Sequence, residues 1–235
     1  KKTIGNGTLV KKAYKNIPYI LTTSQENAIN QISEDMSSSN RMHRLLQGDV
    51  GSGKTIVALF SMLQAVENGS QAVIMAPTEI LARQHLETIK PLALILGIKI
   101  QILTSKEKGK LRDQTLRDLK TGMIDITVGT HAIFQEKVEF KDLRLAIIDE
   151  QHRFGVHQRL ALTSKGKAVD LLVMTATPIP RTLTLTVYGD MDISRLIEKP
   201  AGRKPIDTLI VSNQRFAEVI SSVDRALINN KRIYW

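Results

Sequence analysis

The sequence contains no cysteine, which excludes disulfide scaffolds, thiol catalysis and cysteine-held zinc or iron–sulfur centres. It has no uninterrupted apolar run of about 18 residues, the length a membrane-spanning helix needs. Its first residues, Lys1-Lys2-Thr3-Ile4-Gly5-Asn6, lack the apolar stretch and small-residue cleavage site of a secretory leader. No internal repeat or low-complexity tract stands out. Acidic residues are missing from residues 1–25, where Lys1, Lys2, Lys11, Lys12 and Lys15 stand unopposed. The expectation from these absences is a cytoplasmic protein with no membrane partner.

What is present suffices for a core: 42% of the 235 residues are hydrophobic and 24% are charged. At roughly 100–200 residues per domain, that length holds one large domain, or one with part of another. Lys and Arg outnumber Asp and Glu by 33 to 23, and a net charge of +10 makes polyanions candidate partners. A second basic stretch, Lys99, Lys106, Lys108, Lys110, Arg112, Arg117 and Lys120, faces only Glu107, Asp113 and Asp118. It is either a solvated face or a nucleic-acid contact.

Short apolar runs alternate with helical patterns. Strands are expected at His43–Gln47, Gln71–Ala76, Ile100–Thr104, Asp125–Gly129, Leu143–Asp149 and Leu171–Thr175. Helices are expected at Thr55–Glu67, Glu79–Leu96 and Glu107–Lys120. Strands apolar on both faces and separated by helices require a parallel sheet covered on both sides, a doubly wound α/β domain. Lys199-Pro200-Ala201-Gly202-Arg203-Lys204-Pro205 has the composition of an extended connector. After it come a strand pattern at Thr208–Val211, a helix face of Phe216, Val219, Ile220, Val223 and Leu227, and the opening of another strand at 231–235. The expected organisation is a basic lead-in over 1–16, a first domain over 17–198, a linker over 199–207 and the start of a second domain over 208–235.

Gly48-Asp49-Val50-Gly51-Ser52-Gly53-Lys54-Thr55 satisfies the pattern G-x-x-x-x-G-K-[ST] at every required place. Its glycines let backbone N–H groups converge on phosphate oxygens at the positive end of the following helix. Lys54 places an ammonium on the β- and γ-phosphates, and the Thr55 hydroxyl is a Mg²⁺ ligand. The matching carboxylates follow an apolar strand at Leu145-Ala146-Ile147-Ile148-Asp149-Glu150: Asp149 to hold Mg²⁺, Glu150 to polarise the attacking water. No N-K-x-D tetrapeptide is present, which disfavours guanine. His152 and His157 lie close to Glu150, but in the wrong order and spacing for a helical zinc motif. His43, His85 and His131 are scattered, with no shared ligand role.

Taken in order, these elements resemble the DEAH/DEAD-like helicases and translocases. The set is Gly48–Thr55, Ala76-Pro77-Thr78-Glu79-Ile80-Leu81-Ala82-Arg83-Gln84-His85, Val128-Gly129-Thr130-His131, Asp149-Glu150-Gln151-His152 and Thr175-Ala176-Thr177. The longer strings Gly129–Gln135, Asp149–Arg159 and Thr175–Thr182 are most similar to the bacterial members that remodel stalled forks and recombination junctions. Gln151 stands where related translocases of transcription-coupled repair tend to carry Glu.

The resemblance implies a RecA-like P-loop NTPase domain followed by the start of a second one, with ATP and Mg²⁺ as ligands and branched or duplex DNA as partner. Gln25 would read adenine; the segment around it also reads as a helix start capped by Thr22 or Ser24, and both can hold together. Pro77, Thr78, Arg83, Gln84, Gly129, Thr130 and His131 would touch the nucleic-acid backbone, with Thr78 and Thr130 equally readable as ordinary caps. Gln151 and His152 would sense the γ-phosphate, while Thr175 and Thr177 would link hydrolysis to DNA movement. The family's second motor domain, with its arginine finger, and an N-terminal wedge domain are not expected within these residues. An ATP-binding motor domain, weakly active alone, is therefore the expectation; the alternatives are a related duplex-DNA translocase or a nucleotide-binding switch.

Overall fold

All six apolar segments form strands: β1 (His43–Gly48), β2 (Gln71–Met75), β3 (Ile100–Leu103), β4 (Ile126–Gly129), β5 (Leu143–Asp149) and β6 (Asp170–Thr175). A seventh, β7 (Asp192–Leu196), joins at one edge, giving the order β3-β4-β2-β5-β6-β1-β7 with every pairing parallel. The computed structural model describes residues 2–150, 165–166, 168–177, 191–200 and 207–235. Two units divide the chain, residues 1–201 and residues 202–235.

In the first unit the sheet is buried on both faces. Along β5, Leu145 and Ile147 pack on one side while Ala146 and Ile148 pack on the other. The first side is covered by helices α1 (Thr8–Asn16), α2 (Thr23–Ser37), α3 (Lys54–Glu67) and α4 (Glu79–Leu96). Leu116 and Leu119 of α5 (Gly109–Thr121) pack on the second. This is the doubly wound architecture expected of strands without a polar face.

Local chemistry sets the helix starts. Thr22 and Gln25 form a reciprocal capping box at α2, and the Thr78 hydroxyl accepts from Leu81 N–H at α4. Residues 8–16, within the expected basic lead-in, form α1. The Glu67 carboxylate accepts from the N–H groups of Gly7, Leu9 and Val10, satisfying donors that a helix start leaves open.

In the second unit, α6 (Phe216–Ile228) matches the predicted apolar face, and Phe216 meets Trp235 edge-on with ring centroids 5.9 Å apart. The strands expected at 208–211 and 231–235 do not form. A strand is stabilised by its ladder, and the described residues of this unit offer no partner strand.

Candidate active site at the carboxyl ends of the strands

Parallel strands put all their carboxyl ends on one rim, where open α/β sheets bind their ligands. The phosphate loop follows β1 there and Asp149 closes β5, with only β6 between them. That is about two strand spacings, roughly 10 Å.

Gly53 sits at φ +89°, and a Cβ placed on it would lie 2.2 Å from Gln25 Nε2. A side chain is therefore barred by conformation and by contact. Gln25 is 3% exposed; its Oε1 accepts from Thr22 N–H at 2.9 Å and its Nε2 donates to Ser52 O at 2.7 Å. It thus ties the start of α2 to the phosphate loop. The Ser52 hydroxyl, buried within that loop, has no hydrogen-bond partner among the described residues. Lys54 Nζ donates to Gly48 O at 2.7 Å and to Asp49 O at 3.1 Å, folding back over its own loop. Burial lowers the Lys54 pKa, and the fields of Asp149, Glu150 and Asp49 oppose that shift.

Glu150 adopts φ 52°, a left-handed conformation uncommon outside glycine and concentrated at functional sites. The strand's last ladder bond, Glu150 N–H to Met174 O at 3.0 Å, holds it beside β6, and its Oε1 accepts from Ala176 N–H at 3.3 Å. Thr175 Oγ accepts from Thr177 N–H at 3.1 Å, and Thr177 O accepts from Gln47 Nε2 at 3.2 Å. The 175–177 turn therefore touches the acid on one side and the strand leading into the phosphate loop on the other. Gln151 and His152 lie outside the described residues.

Among the described residues no cluster of three or more His, Asp or Glu could hold a metal by protein alone. The donor set of Thr55 with Asp149 suits Mg²⁺, which is commonly bound by one or two carboxylates together with substrate phosphates and water. A cavity of about 690 Å³, lined mainly by apolar groups, adjoins the loop; its walls include Tyr19, Gln25, Gly53, Thr55, Ile56 and Pro200.

The nucleic-acid candidates divide. Thr78, Arg83, Gln84 and His131 are exposed and Pro77 is half-buried. Thr78 caps α4, and Arg83 pairs with Glu79 at 2.9 Å and Glu107 at 3.2 Å. Thr130 is buried, with its N–H on Leu103 O at 3.4 Å, and a Cβ at Gly129 would lie 2.2 Å from that same oxygen. Packing against β3 thus explains Gly129 and Thr130, and the structure does not bring the Thr130 side chain to the surface.

Three placements escaped the sequence reading. His85 Nε2 lies 2.8 Å from Asp149 Oδ2, Glu198 Oε2 accepts from Ser24 N–H at 3.2 Å, and Tyr19 lines the cavity. For His85 a signal existed: with Ala82, Ile89 and Leu92 it falls on the apolar stripe of a helix.

A glycine loop and an acid pair on the rim of such a sheet define a P-loop NTPase domain of RecA-like fold. The chain belongs to the DEAD/DEAH box helicase family, whose model matches residues 22–186. It is 50% identical to the ATP-dependent DNA helicase RecG of Pasteurella multocida over 97% of this chain and 34% of that protein. Against RecG of Bacillus subtilis it is 49% identical over 94% of this chain and 32% of that protein. A solved structure of RecG bound to a three-way DNA junction superposes with a TM-score of 0.86 at 42% identity, covering 97% of this chain and 31% of that one. The DEAD-box helicase Mss116 bound to ssRNA and UDP-BeF, 19% identical, shares the fold with a TM-score of 0.68, covering 95% of this chain and 51% of that one. The chain spans about a third of the length of the RecG relatives.

Proposed function

We propose that this chain is the ATP-binding motor domain of a RecG-type DNA helicase, which hydrolyses ATP to move and remodel branched DNA. The observation that carries the site is the phosphate loop after β1 and the acid pair after β5 on one rim of the sheet, with Lys54 Nζ held over that loop by Gly48 O and Asp49 O. In this reading the loop N–H groups and Lys54 bind the triphosphate, Gln25 and the adjoining apolar cavity receive adenine, and Glu150 orients the attacking water. Mg²⁺, held by Thr55 and Asp149, would neutralise charge developing on the phosphates. Thr175 and Thr177 relay the state of Glu150 to the rim, where Pro77, Thr78, Arg83, Gln84 and His131 meet the DNA backbone. Likeness to RecG relatives over nearly the whole chain favours remodelling of junctions over simple translocation.

Titration with a fluorescent ATP analogue tests the site. Lys54→Ala should weaken binding by about tenfold or more, worth about 1.4 kcal/mol. Glu150→Gln should bind as the parent does and abolish hydrolysis, which is measured in the longer protein. Equal affinity of the parent and Lys54→Ala would refute the site. Because phosphoryl transfers of this kind gain about 10³–10⁵ from an arginine finger, the chain by itself should turn over slowly.

A further inference from the structure

We propose that His85 is a positioning residue that orients the metal-binding carboxylate of Asp149; this rests on the nucleotide-site reading above. His85 lies on the inner face of α4 and Asp149 at the end of β5, 64 residues apart in sequence. Their side chains meet at 2.8 Å, and each residue is only 8% exposed. A metal-binding carboxylate is ionised and carries no proton, so the imidazole Nε2–H must donate and Oδ2 accept. An aspartate's carboxylate otherwise turns within a broad torsional well. A buried, charge-assisted hydrogen bond removes that freedom and holds the oxygens in one orientation before any cation arrives. Groups that orient metal ligands in this way commonly contribute about 10–100-fold in metal affinity or activity.

Among the described residues His85 makes no hydrogen bond to the phosphate loop, which is organised by Gln25 and Lys54. Its loss should therefore spare the grip on phosphate and weaken the hold on the metal. A purely structural histidine would behave differently, since its removal would loosen the whole site together.

The test titrates the chain with mant-ATP, first in EDTA and then in rising Mg²⁺. The variants are His85→Ala, His85→Gln, whose amide N–H extends toward the Nε2 position, and His85→Asn, whose amide is too short. Metal-free binding should match the parent in all three. The Mg²⁺ midpoint should rise by about tenfold or more in the Ala and Asn variants and return to within about threefold of the parent in the Gln variant. Should His85→Ala fail to fold, Asn against Gln decides. An unchanged midpoint in Ala or Asn overturns the proposal, as does a loss of metal-free binding equal to the loss of Mg²⁺ response. A parent that binds no nucleotide removes the site reading and this inference together, whereas a Mg²⁺-responsive parent with unaltered variants removes only the inference.

Discussion

At the scale of single residues, the phosphate loop depends on one position being empty. Gly53 combines φ +89° with a would-be Cβ contact of 2.2 Å to Gln25 Nε2, the atom bonded to Ser52 O. Gly69, at φ +73°, has nothing within 4 Å of the corresponding point. Alanine at either position incurs about 1–2 kcal/mol of left-handed strain. At Gly53 it also displaces the Gln25 amide, adding about 1 kcal/mol for the lost bond. Urea unfolding should therefore rank Gly53→Ala below Gly69→Ala, and only the former should lose nucleotide binding; equal midpoints would show that the Gln25 contact carries nothing. The glycine was legible because phosphate binding demands a contiguous motif. The Gln25 contact was not, since it joins residues brought together only when α2 docks beside the loop.

At the scale of elements, the basic stretch after β3 is shaped by carboxylates. Glu107 accepts from both the N–H and the hydroxyl of Thr104 and pairs with Arg83 at 3.2 Å, while Lys106 reaches Glu79 at 3.0 Å. The turn into α5 is thus organised without DNA, and Lys106, Lys108 and Lys110 are exposed. Replacing these three lysines by Gln should flatten the slope of log K against log salt for duplex binding by about 2–3, at about 0.9 for each phosphate contact. An unaltered slope would assign them to a solvated face. Long, periodic elements such as α4 were readable in full. Strand β7 was missed because its pattern, Asp192-Ile193-Ser194-Arg195-Leu196, is that of an edge strand with one partly exposed face. Helix α1 was missed because its basic surface looks solvated, although Ala13 is fully buried and the Glu67 carboxylate caps its start.

At the scale of the molecule, the two ends of the sheet have different electrostatics. Asp170 opens β6 at the rim opposite the site, 6% exposed, accepting from Met42 N–H at 2.9 Å. Burial pushes its carboxyl up from 3.8 to about 6, against the pull of the Met42 bond and of Arg144. Between those two values the folded chain binds the proton more tightly than the unfolded chain. This group's contribution to stability therefore falls as pH rises through the window, and it is least favourable above pH 6. Asp170→Asn keeps an oxygen acceptor and should remove that slope, raising stability at pH 7 relative to pH 4 by about 2 kcal/mol against the parent. Urea unfolding of both proteins at the two pH values measures it, and parallel pH profiles would exclude Asp170 as the cause.

What the sequence determined alone was whatever is encoded locally: the alternation of apolar strands and helices, the phosphate loop, and the adjacent acids after β5. Each is a contiguous string in which neighbouring residues suffice to state the chemistry. The tertiary structure decided which strands are neighbours, and with that it put β6 between loop and acids, buried Thr130 against β3 and brought His85 to Asp149. Those contacts join segments tens of residues apart, and the free energy selecting them comes from covering both faces of one sheet. No local pattern carries that information.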